Sequence, residues 1–205
     1  PLDKWRIDQF PASQSLRPVP RRQRFATTDF DVGPARVDQN PSLSAIGITG
    51  QVTGSRADIL SCDDIEAANN SLTQGNRDYL LIMCTELSNI VKPEAEGGRI
   101  IYLGTPQHEA SLYNILFKEK GYKRRIWPAE YPKEETLEGY EGTLAPLLSK
   151  RLSRNPGLVG QPTDPVRFGA EELAKRKREL GNSAYALQFM LDTTLSDAER
   201  YPLKI

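Results

Sequence analysis

The stretch "RADILSCDDIEAANNS", Arg56–Ser71, decides how the rest of the chain is read. It opens on an apolar run and closes on two adjacent acids, Asp63 and Asp64, with Glu66 just beyond. A short apolar run bounded by polar residues reads as a buried strand. A buried strand is rigid, so its carboxylates are held at one place, its carboxyl end.

Outward from that strand the chain alternates. Asn70 or Ser71 is placed to cap a helix that Pro93 stops near Lys92, with Tyr79, Met83, Leu87 and Ile90 or Val91 on its apolar face. The run "RIIYL" then predicts a second strand, ending at "GTPQ". A second helix is expected over Glu109–Lys120, burying Leu112, Ile115 and Leu116 with Tyr113 or Phe117 beside them, and Gly121 closes it. "YKRRIW" reads as a third strand. Strand and helix in alternation describe a parallel sheet covered by helices. Ligands of open parallel sheets gather outside the carboxyl ends of the strands, where both "CDD" and "GTPQ" lie.

An apolar strand delivering two carboxylates is the layout of a Walker B element. Asp63 takes the magnesium-holding role, Asp64 the activation of the attacking water, and Glu66 is the reserve for the second task. Two adjacent carboxylates in a dry pocket require a cation. Acidic pairs after apolar runs also cap helices or sit in water, and that reading stays open at this level. At the second strand end Thr105 and Gln107 place a hydroxyl and an amide beside the same edge, and Gly104 permits close backbone approach. Such a group senses the terminal phosphate in related chemistry; a Thr-Pro turn leading into a helix, capped at His108 and Glu109, is the plain alternative.

The rest of the sequence bounds this reading. The 205 residues, 38% hydrophobic, suffice for one medium domain or a domain with an appendage. No apolar run approaches the roughly 20 residues of a membrane-crossing helix, and no charged-then-apolar leader opens the chain, so neither a membrane nor a secreted protein is expected. Cys62, Cys84 and His108 have no metal-ligand spacing, so no structural metal and no disulfide framework is expected. The 27 basic and 27 acidic residues cancel. Residues 1–26 nonetheless carry an excess of four positive charges, from Lys4, Arg6, Arg17, Arg21, Arg22 and Arg24 against Asp3 and Asp8. That segment suits phosphate contact or a solvated loop. A strand is expected around Arg24–Phe30 and a strand or hairpin in "LSAIGITGQVTGS". Prolines at 128, 132, 146, 156, 162 and 165 make Pro128–Pro165 loop-rich, and "FGAEELAKRKRELG" and "SAYALQFML" follow, the first as a helix and the second as helical or mixed. No G-x-x-x-x-G-K-[ST] loop occurs in the 205 residues.

The runs "GITGQVTGSRADILSCDDIEAANNSLTQGNR", "RIIYLGTPQHEASLYNIL", "GYKRRIWPAEYP", "PTDPVRF" and "YALQFMLDTTLSDAERYPL", in this order, resemble the large terminase subunit of short-tailed bacteriophages, also called DNA maturase B. The resemblance implies an α/β fold: part of a RecA-like, additional-strand P-loop ATPase sheet with flanking helices, then a loop-rich linker and short helices. It implies an ATPase portion over 1–132, a linker over 133–168 and a helical segment over 169–205 that leads toward a nuclease. The implied function is ATP-driven, magnesium-dependent translocation of double-stranded DNA into a procapsid, with cleavage by the nuclease. Implied partners are the portal protein and the small terminase subunit, in a homo-oligomeric ring in the host cytoplasm, and no membrane.

Carried over by position, Asp63 and Asp64 match the Walker B acids, Thr105 within "LGTPQ" the coupling motif, and Arg56 a "G-x-R-A-D" pattern in which it contacts phosphate or serves structure. The phosphate loop is expected upstream of Pro1 and the nuclease acids downstream of Ile205, so the 205 residues alone are expected not to turn over ATP. Asp192, Asp197 and Glu199 match the segment before the nuclease and are expected to bind no catalytic metal. The rival reading is a noncatalytic, ATPase-like interaction module binding portal or capsid components; another helicase or ATPase ranks last, since it leaves "WPAEYP" and "LQFML" unexplained.

Overall fold

A computed structural model describes residues 23–193, apart from Pro34, Val37, Gln51, Thr53, Glu109 and Glu141. Two compact units divide them. One comprises the chain up to Leu60 together with Met83–Ile100; the other comprises Ser61–Ile82 and the chain from Ile101 onward.

In the first unit, β1 (Asp29–Phe30) pairs antiparallel with β2 (Leu43–Ser44). Asp31, 2% exposed, ties this region together. Its carboxylate accepts the main-chain N–H of Arg24 at 2.8 Å and that of Ser42 at 3.2 Å. The Arg24 guanidinium donates to the carbonyls of Asp38 and Gln39, both at 2.6 Å. Arg24, read as part of a basic arm, is thus committed to shaping its own loop; Lys4, Arg6, Arg17, Arg21 and Arg22 lie outside the described residues. Ala57 bridges Val91 in parallel, and Lys92 pairs with Asp58.

Two strands, β3 (Ile59–Asp63) and β4 (Arg99–Leu103), form the expected parallel pair. Their common direction follows from two hydrogen bonds: Arg99 N–H donates to Asp58 O at 3.0 Å, and Asp64 N–H donates to Leu103 O at 2.9 Å. Parallel neighbours need a crossover, and helices supply it here. The single helix expected between the strands is two: α1 (Ala68–Ser71) and α2 (Gln74–Leu87). Side chains of "NNSLT" cause the break. Asn70 Oδ1 accepts Ala67 N–H at 2.8 Å, Ser71 Oγ donates to Ala67 O at 2.8 Å, and Thr73 Oγ1 accepts Asn76 N–H at 3.2 Å as the cap of α2. The helix ends at Leu87, before Pro93 can stop it. Its buried face carries Leu80, Cys84 and Leu87, with Ile90 just beyond, while Tyr79 is 53% exposed. The buried face is turned by about one residue from the expected one: Leu80, not Tyr79, lies inside, and both keep a helical spacing to Leu87.

In the second unit, α3 (Leu112–Lys118) is shorter than expected and is capped by Ser111, whose hydroxyl oxygen accepts Tyr113 N–H at 3.2 Å. Leu112 and Leu116 are its buried residues. The third strand does not form. Tyr122–Trp127 makes one isolated bridge, Ile126 to Leu144, because its backbone pairs with the 143–145 segment instead: Ile126 N–H donates to Thr143 O at 2.7 Å and Ala145 N–H to Ile126 O at 2.9 Å, while the Arg124 side chain turns back onto α3. Its guanidinium lies 4.3 Å from the centre of the Phe117 ring and donates to Asn114 Oδ1 at 2.8 Å. The wider RecA-like sheet is therefore not seen among the described residues; they form a mixed α/β structure with two two-stranded sheets.

The proline-rich region has a core of its own. Ile126, Tyr131, Tyr140, Leu144, Ala145 and Leu148 pack together, with Leu152, Leu158 and Leu191 against them. Helices α4 (Glu134–Leu137) and α5 (Pro146–Arg154) frame it. Then α6 (Ala170–Leu180) and α7 (Asn182–Gln188) meet at Gly181, whose φ of +79° disfavours any side chain. Glu172 pairs with Arg176 one turn later at 2.7 Å. Tyr185 stacks on Phe189 with ring centres 5.1 Å apart, and Phe168 meets Phe189 edge-on.

Candidate active site

The site grows from the turn after β3. Along the strand Ile59, Ser61 and Asp63 face solvent while Cys62 is buried, the period-two pattern of a half-covered sheet. Burial pushes the Cys62 thiol up to about 11, so it stays neutral. Asp64 then adopts φ +45°, left-handed and rare outside glycine and Asn or Asp. This reverses the chain and sends Ile65 and Glu66 inward; Glu66 is 2% exposed.

A buried carboxylate must be satisfied, and Glu66 is. Oε1 accepts Gln107 N–H at 2.7 Å. Oε2 accepts Leu112 N–H at 2.6 Å and the Ser111 hydroxyl at 2.9 Å. One side chain thereby ties the acidic turn to the segment after β4 and to the first turn of α3. In that segment Gln107 Nε2 donates to Thr105 O at 3.2 Å, and Pro106 is buried. Gly104 is required by close approach: a Cβ there would overlap the Tyr113 ring and its hydroxyl, which donates to Leu103 O at 3.4 Å.

A cavity of about 490 Å³ opens over these turns, lined by Asp64, Glu66, Ala67, Ala68, Thr105, Gln107, Gln188 and Phe189. Of the residues singled out in the sequence, it gathers Asp64, Glu66, Thr105 and Gln107. Asp63 stands exposed at the strand end and does not line it. Arg56 belongs to the first unit, where its N–H donates to Asn40 Oδ1 at 3.3 Å and its guanidinium to Ser55 O at 2.9 Å. Asp192 N–H donates to Ala186 O at 3.0 Å, while Asp197 and Glu199 lie outside the described residues.

The sequence reading missed Ser111, Gln188 and Phe189. Ser111, directly before an apolar helical run, carried a legible cap signal that His108 and Glu109 obscured. Nothing in "ALQFM" marks Gln188, because its place depends on how α7 packs.

Among the described residues, no three His, Cys, Asp or Glu side chains come close enough to hold a metal by themselves. Magnesium at phosphate sites takes one or two carboxylates and completes its shell with water and substrate oxygens. Within the cavity Asp64 and the Thr105 hydroxyl are hard oxygen donors of that kind, whereas Asp63 stands outside its lining.

No family model matches the chain. The large terminase subunit of Enterobacteria phage T3 is 48% identical over 203 residues, which is 97% of this chain and 34% of that protein. The chain thus spans about a third of the length of the relative it matches. The match runs over almost the whole chain, and the chain is a homologue of a bacteriophage large terminase subunit.

Proposed function

We propose that the chain forms the hydrolytic half of a nucleotide pocket in a DNA-packaging motor, coupling ATP hydrolysis to translocation of double-stranded DNA into a procapsid. The observation that carries the reading is the cavity where Asp64 and Glu66 meet Thr105 and Gln107 across two parallel strand ends, in a homologue of a terminase large subunit.

Asp64, the strand-end acid that lines the cavity, would hold Mg2+ together with water and phosphate oxygens, and the ion when bound neutralises charge on the nucleotide phosphates; Asp63, read from the sequence as the magnesium ligand, stands outside the lining. Asp64, fixed by its left-handed turn, orients and polarises the attacking water. Glu66 is better suited to positioning than to proton transfer, because its two oxygens already accept three hydrogen bonds. It holds Thr105 and Gln107 in register with the acids, so loss of the terminal phosphate at one turn is felt at the other.

None of the cavity's lining residues is basic, so the charge that cradles a triphosphate must come from other residues. On this reading a glycine-rich loop outside these 205 residues supplies it, within a RecA-like sheet that the β3–β4 pair helps to build. The ATPase portion then covers 1–132, a linker 133–168, and 169–205 lead to a nuclease that cuts concatemeric DNA. Portal protein, small terminase subunit and sister copies in a ring are the partners, in the host cytoplasm.

The test is steady-state ATP hydrolysis by the complete subunit and by the 205 residues alone. The complete subunit turns over ATP and loses activity on Asp64→Asn, while the 205 residues alone do not. Hydrolysis by the 205 residues that Asp64→Asn abolishes would overturn the division of the pocket. Hydrolysis by the complete subunit indifferent to Asp64→Asn would overturn the site.

A further inference from the structure

The cavity has a wall that neither acid turn nor coupling segment provides. Gln188, the last residue of α7, and Phe189 line it together with Asp64 and Thr105. The remaining lining side chains offer few donors to an anion. Asp64 and Glu66 only accept when ionised, and Glu66 is already fully engaged. Gln107 gives one of its two side-chain N–H groups to Thr105 O and keeps the other, Thr105 has a single hydroxyl, and Ala67, Ala68 and Phe189 have no side-chain donor. The exposed Gln188 carboxamide carries two N–H donors and one acceptor at the rim.

The backbone that carries it is firmly held. Phe189 O accepts Ala129 N–H at 2.8 Å, Met190 O accepts the Tyr140 hydroxyl at 2.6 Å, and Thr193 Oγ1 accepts Asn114 Nδ2–H at 3.0 Å. The last bond closes a circuit, since Asn114 sits on α3, whose first turn is bound by Glu66. Gln188 is therefore presented by a segment tied through α3 to the acidic turn itself.

Resting on the nucleotide reading of this cavity, we propose that Gln188 contacts the terminal phosphate of the bound nucleotide, so that the α6–α7 segment reads the state of hydrolysis directly. Its amide donates to an anionic phosphate oxygen, a bond of the stronger, charge-assisted kind. Departure of that phosphate removes the contact, and the change reaches α7 without passing through Thr105.

Nucleotide binding tests this without turnover. The complete subunit is titrated with Mg2+ and either a non-hydrolysable ATP analogue or ADP, for the parent protein, Gln188→Ala and Gln188→Glu. The expected result is analogue affinity roughly tenfold weaker in Gln188→Ala and weaker again in Gln188→Glu, where a carboxylate faces phosphate. ADP affinity stays within about twofold, and the Gln188→Glu defect shrinks as salt is raised. Thermal melting is unchanged, because Gln188 is exposed. Equal losses for both nucleotides, or none for the analogue, overturn the assignment of Gln188 while leaving the nucleotide reading in place. A parent protein that binds neither nucleotide overturns both.

Discussion

The Glu66 carboxylate receives the Gln107 main-chain N–H at 2.7 Å, joining the turn that follows β3 to the segment that follows β4. The two residues are 41 positions apart in sequence. Because the same carboxylate also holds Ser111 and Leu112 of α3, it is the structural hinge of the candidate site. Glu66→Ala leaves three donors without their acceptor, two of them buried, and is expected to cost about 3 kcal/mol. Glu66→Gln keeps one acceptor and sets an NH2 group against a donor, so it is expected to cost less. Urea unfolding of the 205-residue chain ranks the two; equal midpoints for parent and Glu66→Ala would refute the hinge.

Asp64 separates backbone from chemistry. Asparagine tolerates the left-handed region nearly as well as aspartate, so Asp64→Asn is expected to keep the fold while removing the carboxylate at φ +45°. In the complete subunit ATP hydrolysis should fall by roughly 100-fold or more, the usual scale for loss of a positioned acid or base. Circular dichroism and melting, measured alongside, should match the parent.

The face of α2 is checked by a pair of truncations. Leu80 is 3% exposed and Tyr79 53%. Leu80→Ala is expected to cost about 2–5 kcal/mol by leaving a cavity, and Tyr79→Ala to stay within about 0.5 kcal/mol. Reversal of that order in denaturant unfolding would restore the face read from spacing.

Cys62 gives the fold a response to alkali. Its thiol is held neutral by burial up to about 11, whereas an unfolded thiol ionises near 9.0. The raised folded value means that this contribution is complete below the unfolded value and is lost as pH rises through the folded one. Stability is expected to fall across that window, and to fall less in Cys62→Ala. Thiol labelling at pH 8 should be slow until the chain is unfolded.

Much of this was legible in the residues because the signals were local. "ADILSCDD" and "RIIYL" announced two strands by apolar run and boundary, and with them the place of the acids and of "GTPQ" at the strand ends. Gly121 and Gly181 marked helix ends by the backbone they permit, with φ of +74° and +79°. What was hidden depended on tertiary choices. "YKRRIW" has strand composition, yet the backbone of Ile126 pairs with the distant 143–145 segment, which spacing cannot show. Tyr79 and Leu80 compete for one helix face, and only packing decides. Glu66 is legible in the sequence as an acid, but its bonds to residues more than 40 positions away are invisible to spacing. Gln188 reaches the cavity only through the folding of the proline-rich region.

The central claim is that Asp64 and Thr105 serve one nucleotide site, one for hydrolysis and the other for its conversion into movement. It is tested most directly by measuring ATP hydrolysis and DNA packaging in the same reaction, with the complete subunit assembled on portal-bearing procapsids. The account predicts that Asp64→Asn stops both, while Thr105→Ala leaves most hydrolysis and stops packaging. Packaging by either variant at the parent rate would contradict it.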